Sequence, residues 1–173
     1  EIYLILEGSK PFPDALSGTL SELMSTHSAL YFFQPMQFNN EDFTAKKEVS
    51  ATAKKILDTL KLTLTEWIAW DAQNANSVAI SQGNFTFPVV YPLFPKIAYD
   101  FSGGSAQPLV VNMPFPAAFE SDSDALIQTS PYGIIRKDLT SLKPQSMGTY
   151  QKSDLGVRTL AKLIARENTK IAL

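Results

Sequence analysis

The stretch from Ala29 to Leu64 constrains the fold of this chain more than any other, because an apolar strand pattern runs directly into an amphipathic helix pattern there. Ala29-Leu30-Tyr31-Phe32-Phe33-Gln34-Pro35-Met36-Gln37-Phe38 is aromatic and β-prone, with Pro only near its end, and reads as one buried strand. Asn39 or Asn40 then stands where a helix N-cap is wanted, and Glu41 and Asp42 sit where the helix dipole favours carboxylates. Val49, Ala53, Ile56, Leu57 and Leu60 recur at helical spacing. The pattern predicts a helix from Asn40 to Lys61, about five turns long. Its solvent side would carry Lys46, Lys47, Lys54 and Lys55. The expected core joins Leu4, Leu6, Leu30 and Phe32 of the strands to Val49, Ala53, Ile56, Leu57 and Leu60 of the helix.

The flanking segments extend this scheme. Ile2-Tyr3-Leu4-Ile5-Leu6 is a continuous apolar run closed by Glu7-Gly8-Ser9-Lys10-Pro11, the pattern of an interior strand turning out to solvent. Leu16, Leu20, Leu23 and Met24 predict a short helix over Asp14 to Thr26, capped near Pro13 and Asp14. From about Leu62, alternating Thr favours a strand up to Trp70. Ser77 to Ile80 leads through Gln82-Gly83-Asn84 into Phe85-Thr86-Phe87 as a hairpin. From Pro88 to Pro116 frequent Pro removes ladder donors, which predicts edge strand and ordered loop with a turn at Ser102-Gly103-Gly104-Ser105. Within it only Leu109 to Met113 reads as a proper strand. Ser153 or Asp154 would open a last helix bearing Val157, Leu160, Ala161, Ile164 and Ile171.

Composition narrows the chemistry. The 173 residues, 45% of them hydrophobic, suffice for one domain with a real core, taken as 1–173. A net charge of −2 sets up no field that would draw in nucleic acid or an anionic membrane. The absence of Cys removes disulfides, thiolate nucleophiles and thiolate metal sites, and leaves the compartment open. No apolar run approaches the roughly 20 residues that span a bilayer. A start at Glu1 without Met is compatible with processing.

His27 is the only histidine, so any Ser-His-acid triad would have to use it, and no Gly-x-Ser-x-Gly elbow accompanies it. A dipole partner at a helix end is the simpler reading. Glu120, Asp122 and Asp124 alternate and could present oxygen ligands to Ca²⁺ or Mg²⁺, but they lack the glycine and distal Glu of an EF-hand and read as a solvated loop. Ser102 to Ser105 matches no phosphate-binding glycine pattern, and Asn84-Phe85-Thr86 is a glycosylation acceptor pattern too short to decide anything. Arg158, Lys162, Arg166 and Lys170, spaced by four, form a basic stripe on the expected last helix, read as a solvated face. No cofactor and no metal site is expected.

The expected fold is α/β or α+β: a mixed or antiparallel sheet of about five strands, one long helix packed across it, a C-terminal helix and a Pro-rich extended arm over about 88–119. The arm's aromatics give the candidate interface Phe87, Tyr91, Phe94, Phe101 and Phe115. Without a nucleophile–base pair, metal cluster or phosphate loop, the chain reads as a non-enzymatic structural or assembly protein, a minor virion component of the phage head–tail or tail-completion kind. The layout of strand, long helix and following strands over residues 29–90 resembles that of small tail-completion proteins of phages; the resemblance is one of layout and implies no residue roles. Partners would be other subunits in a homo- or hetero-oligomer, with nucleic acid disfavoured. A competing reading is an extracytoplasmic small-ligand domain whose aromatic tract lines a pocket with Trp67 and Trp70 at its mouth. A third is a carboxylate-only hydrolase drawing on Asp71, Asp100, Glu120 and Asp122.

Overall fold

Asp14–Thr26 forms helix α1 between two parallel strands, β1 (Ile2–Leu6) and β2 (Ser28–Phe32), so the chain opens with a strand–helix–strand crossover. The computed structural model describes residues 1–8, 10, 12–39, 41–99, 109–113, 115–140, 142–143, 151–166 and 169–173, with backbone alone at 92–94, 97–99, 109, 112 and 166. The helix α1, the hairpin of β6 (Ala75–Gln82) with β7 (Phe85–Tyr99), and strands β5 (Leu64–Asp71) and β8 (Leu109–Asn112) all lie where the sequence patterns put them. Gly83, at φ 61, supplies the left-handed residue at the tip of that hairpin.

Between β2 and β5 the expectation of one strand and one long helix fails. The strand breaks at Phe33-Gln34-Pro35, and β3 (Met36–Asn39) turns into β4 (Thr44–Lys47) as an antiparallel hairpin. The residues read as helix caps make turns instead: the Asn39 side chain accepts from the Glu41 N–H at 2.9 Å, and Asp42 accepts from the N–H and hydroxyl of Thr44 at 3.0 and 2.7 Å. Asn and Asp satisfy either motif equally well, and here the turn wins because Phe38 and Ala45 pair across the ladder and both pack on the core. Phe43, at φ 57, completes the reversal. Helix α2 is therefore only Ala51–Leu60, ten residues, and the likeness of layout to tail-completion proteins loses the long helix it rested on. Its N-cap is Ser50, whose hydroxyl accepts from the Ala53 N–H, and Lys61 ends it in a left-handed conformation. Ala53, Ile56, Leu57 and Leu60 are buried and Lys54 and Lys55 exposed, as the helical spacing requires.

The last helix is also absent. Thr159–Arg166 is β12 and Thr169–Ala172 is β13, an antiparallel pair. A spacing of four places residues on one face of a helix and on one face of a strand alike, so the period could not separate the two, whereas the β-branched Thr159, Ile164, Thr169 and Ile171 favour the strand. Only a short 3-10 turn forms at Lys152–Asp154.

The largest sheet is mixed and five-stranded, in the order β1-β2-β13-β12-β10, where β10 is Ala125–Gln128. Helices α1 and α2 cover one face of it through Ile5, Ala29, Tyr31 and Ile171, packed with Met24, Ala53, Ile56 and Leu60. A second sheet places β5 between β11 (Gly133–Arg136) and β9 (Ala117–Phe119), and a third runs β6-β7-β8. Strand β7 pairs with β6 over Phe85–Val90 and with β8 over Lys96–Tyr99. Among the described residues the Phe85–Val90 stretch has β6 as its one ladder partner, which explains how Pro88 sits in a regular strand. Residues 100–108, with the Ser102–Ser105 turn and Asp100, lie outside the described residues. Among the described residues no helix is long and apolar enough to cross a membrane.

The strand contribution to the core is the reverse of the expectation. Leu4, Leu6, Leu30 and Phe32 are exposed, at 62, 61, 36 and 52%, and the alternate residues Ile5, Ala29 and Tyr31 face the helices. Strand β1, read as interior, is an edge strand.

Candidate functional site

The parallel register sets Leu4 beside Leu30 and Leu6 beside Phe32 on the face away from the helices. Ala172 neighbours Leu30, and Leu163 neighbours Ala172, so the row Leu4-Leu30-Ala172-Leu163 crosses four strands without a charge, with Leu4, Leu30 and Leu163 exposed and the small Ala172 buried between its larger neighbours. Ile2 extends the patch at 80% exposure, and the exposed Lys170, whose N–H is held by Ser28 Oγ at 3.1 Å, marks one margin. Side chains of this kind gain roughly 1.5–3 kcal/mol each on full burial, so half-exposed ones forgo on the order of 1 kcal/mol apiece.

At its other margin, Leu6 and Phe32 lead into a cleft of about 520 Å³ between the end of the β1–β2 ladder and a wall that includes Val111, Met113, Pro116 and Ala117. Its walls include Phe33, Leu64, Met113, Phe115, Phe119 and Leu160. Two ionisable groups, Glu7 and Tyr31, stand together in this apolar wall. Glu7, the residue after β1, is 8% exposed; its Oε2 accepts a hydrogen bond from the Tyr31 hydroxyl, and its Oε1 finds no partner among the described residues. Burial, reinforced by the hydrogen bond and the neighbouring charge of Glu7, holds the Tyr31 phenol well above its ordinary range. Glu7 also borders a second cleft of about 480 Å³, lined by Met36, Phe38, Glu48 and Ser50, so it stands where the two meet.

The sequence-level candidates scatter. Of the expected interface, Phe87 is 39% exposed on the hairpin, sharing a ladder position with Ile80, and Phe85 at 78% is more exposed still. Tyr91 and Phe115 are interior: Phe115 stacks on Phe38 at 4.2 Å, and the Tyr91 hydroxyl donates to the Leu142 carbonyl. The side chain of Phe94 and all of Phe101 lie outside the described residues. The basic stripe does not form. Lys162 is buried at 1%, its ammonium donating to the Ser123 carbonyl above the Phe119 ring, while Arg158 donates to the Asp154 carbonyl at 3.0 Å. Lys170 is exposed on the neighbouring strand, and the Arg166 side chain is outside the described residues.

His27 caps the end of α1, exposed, with Nδ1 2.8 Å from Thr26 Oγ1 and its ring edge-on to Tyr3. Among the described residues no three His, Cys, Asp or Glu gather as a metal site; Asp122 accepts instead from Thr159 Oγ1 at 2.7 Å. Asp71 is fully buried and engaged by the backbone N–H groups of Gln73, Asn74 and Ser130 and by the Ser130 hydroxyl, so it serves as a structural tie. Neither Trp67 nor Trp70 lines the cleft: Trp70 is buried beneath the Arg136 guanidinium and Trp67 is 38% exposed.

Comparison with known protein families, with curated proteins and with solved structures returns no match for this chain. The features that sequence reasoning missed are the outward face of β1 and β2 and the Glu7–Tyr31 pair. A signal for the second was present, since Tyr3, Ile5 and Glu7 alternate and Glu7 continues the inward phase past the end of the strand.

Proposed function

We propose that this chain is a non-enzymatic assembly subunit that packs the outer face of its five-stranded sheet against a second copy of itself. A virion component of the head–tail or tail-completion kind is the specific form the reading takes. The observation that carries it is the uncharged row Leu4-Leu30-Ala172-Leu163, flanked by Ile2, Leu6 and Phe32. Monomers seldom leave so many large apolar side chains open on one sheet face, and sheets pack face to face through apolar rows of this kind. An apolar row with the exposed cation Lys170 at its margin matches its own copy across a two-fold axis with no like-charge conflict at its centre.

The two edges of the same sheet support this. Strand β10 is four residues long, meets β12 through two register irregularities and follows directly on Asp124, the means by which proteins blunt an edge. Strand β1 is in unbroken register over all five residues, and Ile2–Leu6 contains neither charge nor Pro. The non-enzymatic part is supported by the engagement of Asp71 and by His27, whose Nδ1 pairs with Thr26 Oγ1 and with no carboxylate among the described residues.

Sedimentation velocity of the full chain, compared with the double variant Leu4→Ser, Leu30→Ser, tests the reading. Concentration-dependent self-association that disperses in the variant, with an unchanged circular dichroism spectrum, is expected. A wild-type monomer at every concentration, or association indifferent to both substitutions, would refute it.

A further inference from the structure

The 520 Å³ cleft beside the β1–β2 ladder lies in the size range of small-ligand sites, and all but a few of its side chains are apolar. Glu7 makes it chemically specific. Its Oε2 is occupied by the Tyr31 hydroxyl, while Oε1 is closed to water and also lacks any hydrogen-bond partner among the described residues. A buried acceptor in that condition is unfavourable until a donor reaches it. The terminal torsion of a Glu side chain is soft, so a modest rotation of the carboxylate can turn Oε1 toward the cleft, both oxygens moving together and the rotatable Tyr31 hydroxyl following Oε2.

We propose that the cleft binds an amphiphile with a linear or aryl-alkyl body and a terminal protonated amine, the body on Phe33, Met113, Phe119 and Leu160 and an ammonium N–H on Glu7 Oε1. An ammonium meets the unpaired oxygen with a charge-assisted hydrogen bond, stronger than the one a hydroxyl offers. A fatty carboxylate would set two anions side by side in an apolar wall, which neither tolerates. The apolar body matters equally, because an ammonium without one has no reason to leave water.

Calorimetric titration with decylamine, decanol and decanoate, each below its micellar concentration, separates these terms. The titrations use the full chain and its Leu4→Ser, Leu30→Ser variant, whose substitutions lie on the sheet face outside the cleft walls. Decylamine should bind about tenfold or more tighter than decanol, with decanoate weakest. The double variant should keep that preference, and Glu7→Gln should abolish it, bringing decylamine affinity down to about that of decanol. The wild-type comparison stands alone if Glu7→Gln does not fold. No binding, decanol or decanoate equal to the amine, or loss of amine binding in the sheet-face variant would each overturn the proposal. None of these outcomes depends on whether the chain self-associates.

Discussion

Replacing Asp71 should unfold the junction between β5 and the segment around Ser130 more than any other single polar substitution. Its Oδ1 accepts from Gln73 N, Asn74 N and Ser130 Oγ at 2.9, 2.9 and 2.7 Å, and its Oδ2 accepts from Ser130 N at 2.6 Å. Hydrogen bonds to a charged group contribute about 1.5–3 kcal/mol each, but the four cannot be summed. The N–H groups of Gln73 and Asn74 belong to an exposed turn where water can replace the carboxylate, whereas Ser130 is half-buried and loses two partners at once. Asp71→Ala should therefore cost about 3–5 kcal/mol, the range for breaking a buried charge network. Asp71→Asn is more informative. Its one oxygen can take over from Oδ1, but its NH₂ must then face the Ser130 N–H, donor against donor, and the cost should be about 1–3 kcal/mol. Urea unfolding followed by tryptophan fluorescence measures both, Trp70 being the adjacent buried residue. A loss below about 1 kcal/mol for Asp71→Ala would refute the claim that this carboxylate ties the two segments.

Gly133 faces the same junction, and a Cβ there would stand 2.0 Å from Thr129 Oγ1 and 2.6 Å from the Gly156 carbonyl, so Gly133→Ala should cost at least about 2 kcal/mol in the same assay, and a neutral result would mean that the packing is looser than described. Alkaline pH should destabilise the fold through Tyr31 and Tyr91. Burial holds both phenols above the ordinary value of 10.0, Tyr91 at about 12 against the opposing charge of Arg136, and Glu7 lifts Tyr31 further. Their stabilisation is whole below pH 10, where folded and unfolded phenols are alike protonated, and is lost as pH rises through the folded values, at up to about 1.4 kcal/mol per pH unit from each. Titration of phenolate absorbance in the folded chain checks this, and two ordinary pKa values at those positions would contradict it.

Elements whose pattern admitted one reading were legible. Helix α1 has Leu20, Leu23 and Met24 on one side and Pro13 at its start, and no β-branched run competes with it. The hairpin at Gly83 is marked by the one residue type that, lacking a Cβ, takes φ 61 without steric cost. Where two structures share a spacing or a capping residue, the sequence was ambiguous. Asn39 and Asp42 suit an N-cap or an Asx turn, and Leu160 and Ile164 suit a helix or a strand face. What decided each case was long-range: Glu48 N–H bonds to the Pro35 carbonyl, and Ile164 pairs with Ile171 on a strand that itself needs β2.

The phase of β1 and β2 is the most instructive failure, and the candidate site follows from it. Ile2, Leu4 and Leu6 alternate with Tyr3 and Ile5, and Leu30 and Phe32 alternate with Ala29 and Tyr31, so both faces are apolar and period alone cannot say which is buried. Size favoured the wrong face, since Leu and Phe outweigh Ala. The helices instead require a flat floor: Ala29 and Ile171 lie side by side in register and leave room for Met24 and Ile56. Tyr31 can enter that layer because Glu7, two residues beyond Ile5 and on the same face, accepts its hydroxyl. The larger side chains are then forced outward, which leaves the apolar face exposed and one Glu7 oxygen buried without a partner among the described residues as consequences of one choice of phase. Any substitution that restored the expected phase would have to accommodate Leu30 and Phe32 beneath α1 and α2 and expel Tyr31 from its acceptor, so the exposed face is built into the packing of the protected one.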